Sequence, residues 1–99
     1  MSPVAIRTFK NPAVEAFFYK DTVPKKCGWQ DVSRIVARKL DMLDYASKVD
    51  DLRVPPANRL ELLLGDLAGF HSIRVNDKWR IVFLWTSEGP EQVDVVDYH

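Results

Sequence analysis

The chain has 99 residues, with 14 basic and 14 acidic side chains and no net charge. That length supports one hydrophobic core rather than two, so residues 1–99 are read as a single domain. A neutral balance excludes a generic nucleic-acid coat protein, which would be strongly basic, and the longest apolar run, residues 81–85, is far too short to span a bilayer.

Cys27 is the one cysteine, so no internal disulfide is available and a reducing compartment fits. The start "MSPVAIRTFK" carries charges at positions 7 and 10 and does not resemble a signal peptide. A cytoplasmic protein is therefore expected. Residues 1–50 hold nine Lys or Arg against six Asp or Glu; residues 51–99 hold five against eight. This mild asymmetry is read as solvated surface.

In chain order, "VAIRTF" alternates apolar and polar residues, as a short first strand does. Asn11 is a good N-cap and Pro12 suits the first helical position, so a helix is expected over about 12–19, with Val14, Phe17 and Phe18 inward. Pro24 and Gly28 break the pattern into a loop. Val32, Ile35, Val36, Leu40 and Leu43 then recur at spacings of three and four, which predicts a helix from about Gln30 to Ala46. Arg34, Arg38, Lys39 and Asp41 fall mostly off that stripe. Pro55 and Pro56 close the next loop.

Beyond Pro56 the period becomes two. "RLELLLG" reads as a short strand or extended arm, "GFHSIRV" and "WRIVFLW" as a hairpin, and "EQVDVVDYH" as the last strand after a "TSEGPE" turn. The order β-α-α-β-β-β-β predicts an α+β fold, with two N-terminal helices packed on an antiparallel sheet. Side chains also set the hairpin register. Ile73 and Val75 must share a face with Trp79, Ile81, Phe83 and Trp85, which requires Val75 opposite Trp79 across a three-residue loop. A two-residue loop would turn Arg80 into the core at prohibitive cost. Arg74 and Arg80 are thereby placed opposite one another on the other face of the sheet.

Two opposed arginines repel unless an anion or a carboxylate lies between them. Guanidinium forks suit phosphate, so one reading is a phosphate site; the other is neutralisation by Glu61, Asp94 or Asp97. The terminal Asp97, Tyr98 and His99 are residue types used in acid–base chemistry, and a histidine titrating near neutrality serves as general acid or base. Strict pleating places Tyr98 on the Arg80 face and His99 with Asp97 on the other. Cys27, His71, Trp79 and Trp85 read as structural, and Trp29 as either a packing staple or a partner contact. The chain lacks GxGxxG, P-loop, HExxH and paired CxxC motifs, so no nucleotide cofactor or metal is expected.

The run "PPANRLELLLGDLAGFHSIRVNDKWRIVFLW", followed by "VDVVDYH", resembles the HigB branch of the RelE/ParE toxin superfamily. The resemblance covers residues 30–99 firmly and the first thirty loosely. It implies the fold derived above and a type II toxin: a ribosome-dependent endoribonuclease that cuts mRNA in the A site of the 30S subunit without metal. It also implies a cognate helix-turn-helix antitoxin (HigA-like) through which the complex would bind operator DNA. Matched residue by residue, the family's phosphate-binding arginine falls at Arg80 and its C-terminal functional residues at Asp97, Tyr98 and His99. Arg74, Lys78 and Arg59 are expected to contact substrate. The chain departs from many relatives where Leu64, Leu67 and Ala68 replace basic residues, and where Glu61 stands in place of a histidine. Those departures should weaken RNA contact. Two alternatives stay open: a non-enzymatic gyrase inhibitor of the ParE type, and a catalytically weakened toxin acting mainly as an antitoxin-binding repressor partner.

Overall fold

The computed structural model describes residues 5–97. Two helices, α1 (Pro12–Lys20) and α2 (Ser33–Tyr45), precede four strands: β1 (Glu61–Leu62), β2 (His71–Arg74), β3 (Trp79–Thr86) and β4 (Gly89–Asp97). The strands form one antiparallel sheet in the order β1-β2-β3-β4. Short 3-10 turns at Gln30–Val32, Val49–Arg53, Pro56–Asn58 and Gly65–Leu67 occupy the connections.

Local chemistry sets both ends of α1. The Asn11 side chain accepts from the Ala13 N–H, Pro12 opens the helix, and Asp21 closes it in a left-handed conformation with its N–H on the Phe17 carbonyl. Val14 and Phe17 are buried on its inner face, as the apolar spacing required. Helix α2 buries Val36, Leu40 and Leu43. These side chains cluster with Ile73, Ile81, Phe83, Val93 and Val95 from one face of the sheet. Of the two readings of Trp29, the packing staple holds: the residue is buried and its ring meets Phe17 edge-on at 5.0 Å. Cys27, Trp79 and Trp85 are half-buried against the same core.

The β2–β3 hairpin has the register required by its side chains. Ile73 lies opposite Ile81 and Arg74 opposite Arg80, and the Val75 N–H donates to the Trp79 carbonyl at 2.9 Å. Asn76 tightens the three-residue loop by accepting from the Lys78 and Trp79 N–H groups at 2.9 and 2.7 Å.

Two features depart from strict periodicity. First, β4 carries a bulge: Val82 pairs with Asp94 but Leu84 pairs with Glu91, so Gln92 and Val93 together oppose Phe83. Gln92 takes φ 53° there. The bulge changes the facing of β4, so Val93 and Val95 are buried on the core side while Glu91 stays on the outer face opposite Leu84. Second, among the described residues the expected first strand is reduced to one parallel bridge, Phe9 with Val93. The Arg7 and Lys10 N–H groups donate to the Pro90 and Val93 carbonyls, yet at the bulge the Gln92 N–H turns to the Thr8 hydroxyl instead of a backbone carbonyl. That interruption stops a regular ladder from forming.

Candidate functional site

Alternation along β1, β2 and β3 places Glu61, Ser72, Arg74 and Arg80 on the sheet face away from the helices. Arg80 is the most constrained of them. Its Nε donates to the Ser72 hydroxyl at 2.8 Å, and its Nη2 donates to the Arg59 carbonyl at 2.8 Å. Its side chain is 12% exposed, which leaves one side of the guanidinium open. Ser72 is fully buried, so its hydroxyl is a fixed acceptor. The Arg59 carbonyl is fixed by the turn Pro56–Asn58, which lies against β2.

Arg59, Arg74, Asn76, Asp77 and Arg80 line an open cleft of about 300 Å³. Three arginine residues thus line one depression. Two carboxylates reach them: Asp77 pairs with Arg74, and Glu61 lies 3.5 Å from Arg80. Both acids are water-exposed, Asp77 almost completely and Glu61 by about half, so each is a weak and displaceable counter-ion. Of the three neutralising acids considered from sequence, Glu61 does reach Arg80. Asp94 instead accepts from the Val95 N–H, and Asp97 lies 3.8 Å from Lys78.

The expected site residues therefore divide. Arg59, Arg74 and Arg80 come together in the cleft. Lys78 does not line it; its ammonium sits over the Trp79 ring, 5.7 Å from the centroid, and beside Asp97. Asp97 pairs in register with Trp79, on the face opposite Arg80. Tyr98 and His99 lie outside the described residues.

Three contributors were not read from the sequence. Ser72 shares the Arg74 face by period two, so a polar neighbour for Arg80 was visible there in principle. The Arg59 carbonyl is a backbone group and has no sequence signal. Lys39, expected off the α2 stripe, is 8% exposed and donates to the side chain of the fully buried Asn58. Burial, then Arg38 and Arg74, hold the Lys39 ammonium below its ordinary pKa.

Comparison with known proteins gives this geometry a context. Residues 7–99 match the family model described as the RelE-like toxin of the type II toxin–antitoxin system HigB. The chain belongs to the HigB-like toxin family. Toxin HigB-1 of Vibrio cholerae is 42% identical over 77 residues, spanning 78% of this chain and 80% of that protein. Endoribonuclease HigB of Proteus vulgaris is 33% identical over 94 residues, spanning 95% of this chain and 99% of its own length. The fold is also that of a YoeB toxin: a chain of the Staphylococcus aureus YoeB–YefM complex superposes with a TM-score of 0.55 at 20% identity, covering 99% of both chains. In this HigB-like toxin the arginine cleft is therefore a feature of a RelE-type sheet, on the face that the helices leave open.

Proposed function

We propose that this HigB-like toxin is an endoribonuclease that cuts mRNA in the ribosomal A site. The observation that carries the reading is the pinned Arg80 facing Arg74 in an arginine-lined cleft. Such a site is preorganised for a phosphate, because its donors are fixed before substrate arrives and its acidic partners are easily displaced. The relative from Proteus vulgaris that bears the name endoribonuclease supports the choice of RNA.

The chemistry needs no group beyond the chain's own side chains. The ribose 2′-oxygen attacks the adjacent phosphorus, forming a 2′-O–P bond while the P–O5′ bond breaks. The products are a 2′,3′-cyclic phosphate and a free 5′-hydroxyl. Arg80 binds the phosphate and the charge that develops on the phosphorane, with Arg74 and Arg59 in support. One proton must leave the 2′-hydroxyl and one must reach the 5′-oxygen. Tyr98 and His99 are the proposed carriers, with Asp97 orienting them. A helix-turn-helix antitoxin of the HigA type is the proposed partner. It would silence the toxin and carry the complex to operator DNA.

The test is mapping of mRNA 5′ ends after induction, with wild type, Arg80→Ala and Tyr98→Phe side by side. The expected result is new in-frame 5′ ends on translated messages with wild type alone. Intact mRNA accompanied by DNA-damage signalling would favour a gyrase inhibitor instead. Leu64, Leu67 and Ala68, standing where the family resemblance leads one to expect basic residues, favour a second reading, a weakened toxin that serves mainly as an antitoxin's repressor partner. Retained antitoxin binding without any cleavage by wild type would select it.

A further inference from the structure

Lys39 on α2 and Asn58 before β1 lie outside the cleft, and the proposed chemistry uses neither. Both are buried. The Lys39 ammonium donates to Asn58 Oδ1, while Asn58 Nδ2 donates to the Leu52 carbonyl at 3.1 Å. The Asn58 N–H closes the turn onto the Pro55 carbonyl at 2.9 Å. Asn58 is thus held through its side-chain acceptor, its side-chain donor and its backbone.

The next residue is Arg59, whose carbonyl anchors Arg80 Nη2. Arg59 sits at φ 45°, ψ 56°, a left-handed conformation that costs a non-glycine residue energy unless its surroundings impose it. Its N–H bonds to the Pro56 carbonyl at 3.1 Å. A continuous path of bonds therefore runs from Lys39 through Asn58 and one peptide link to the acceptor that aims Arg80.

Packing alone does not account for Lys39. A leucine or methionine there would fill space beside the α2 stripe without desolvating an ammonium. The charge is also opposed by Arg38 and Arg74, which together with burial disfavour the ammonium. The group is kept where it is costly, and its bond goes to the residue that precedes the Arg80 anchor. We propose that the Lys39–Asn58 pair is a positioning device for Arg80: it fixes the turn so that the Arg59 carbonyl holds the guanidinium toward the cleft. The functional side of this inference rests on the reading of Arg80 as the phosphate-binding group.

The test measures Arg80 directly and separately from activity. In the full-length chain, the Arg80 Nε–H is identified by NMR as the resonance lost in Arg80→Lys, and its exchange with solvent is timed. In folded Lys39→Met the exchange is expected to speed up about three- to tenfold, from the loss of one anchoring bond. Turnover on ribosomes is expected to fall about 10- to 100-fold through misplacement of the guanidinium, with KM changing less. Lys39→Arg, which keeps a donor for Asn58 Oδ1 and leaves the Asn58 Nδ2 bond to the Leu52 carbonyl in place, should retain both. If Lys39→Met does not unfold cooperatively, Asn58→Ser carries the same expectation, because its side chain is too short to reach Lys39. The proposal is overturned if exchange and turnover stay within about twofold of wild type, or if Lys39→Arg is as impaired as Lys39→Met. Wild-type cleavage by Arg80→Lys would sink the functional reading alone, since the exchange rates would still decide the positioning.

Discussion

Arg80 on β3 and Ser72 on β2 are joined by an Nε–H to Oγ hydrogen bond of 2.8 Å, a same-face diagonal two residues along β2 from Arg74, the direct cross-strand partner. The hydroxyl fixes the plane of the guanidinium, and the Arg59 carbonyl fixes its rotation. Ser72→Ala should cost about 1–3 kcal/mol, because a buried charge-assisted hydrogen bond is lost. It should lower turnover as well. Urea unfolding and a single-turnover cleavage assay on the same variant check the two effects.

Arg80→Lys is not a conservative change here. An ammonium cannot keep both anchors and still present a planar fork to phosphate. Turnover should drop about 100-fold or more, in the range seen when one transition-state donor is removed. Growth after induction and cleavage rates on programmed ribosomes measure it.

Tyr98→Phe and removal of His99 should each abolish cleavage while leaving the unfolding temperature close to wild type. Full toxicity after removal of His99 would refute its role as a proton carrier.

His71 stacks on Phe83 with ring centroids 6.0 Å apart, and its buried Nδ1 has no partner among the described residues. Burial, then Arg53, lower its pKa from the ordinary 6.5. Below that value the unfolded chain takes up a proton that folded His71 resists, so stability falls as the solution is acidified. Above it, both states are neutral and His71 adds no slope. His71→Phe should flatten the acid side of the stability curve, which urea midpoints at about pH 5.5 and 7.5 will read.

Gly28 has φ 94°, and a Cβ placed on it would lie 2.6 Å from the Trp79 ring. Gly28→Ala must push that ring aside or twist the loop, at a cost of about 1–3 kcal/mol. For a chain of this size that is a fall in melting temperature of roughly 4–8 °C per kcal/mol, measurable by calorimetry.

Side-chain pattern carried the helices and the hairpin register into view, because burying Arg80 was the one intolerable alternative. The opposition of Arg74 and Arg80 followed from that register. The bulge is invisible to a period-two reading, which has no symbol for an extra residue, and the first strand therefore looks longer in the sequence than the single bridge found among the described residues. Lys39 is hidden for a related reason. A helical wheel assigns lysine to solvent, whereas its partner Asn58 approaches from a turn 19 residues later. The anchor at Arg59 is a carbonyl, common to every residue and therefore silent in a sequence.

The extra residue at Gln92 and Val93 gives β4 something like a reading frame. Before it, Pro90 faces inward with Trp85; after it, Val93 and Val95 take that side. Deleting Gln92 would leave that frame intact: Val93 alone would oppose Phe83, Glu91 would stay opposite Leu84 and Asp94 opposite Val82. The loss would be the Gln92 N–H bond to the Thr8 hydroxyl, which ties the segment before α1 to β4. A frameshift in three dimensions needs a residue added at the bulge, or one removed from β4 beyond it, since either exchanges the inner and outer side chains over part of the strand. The tolerance of β4 to a change in length is therefore set by position, greatest at the residue that is already supernumerary.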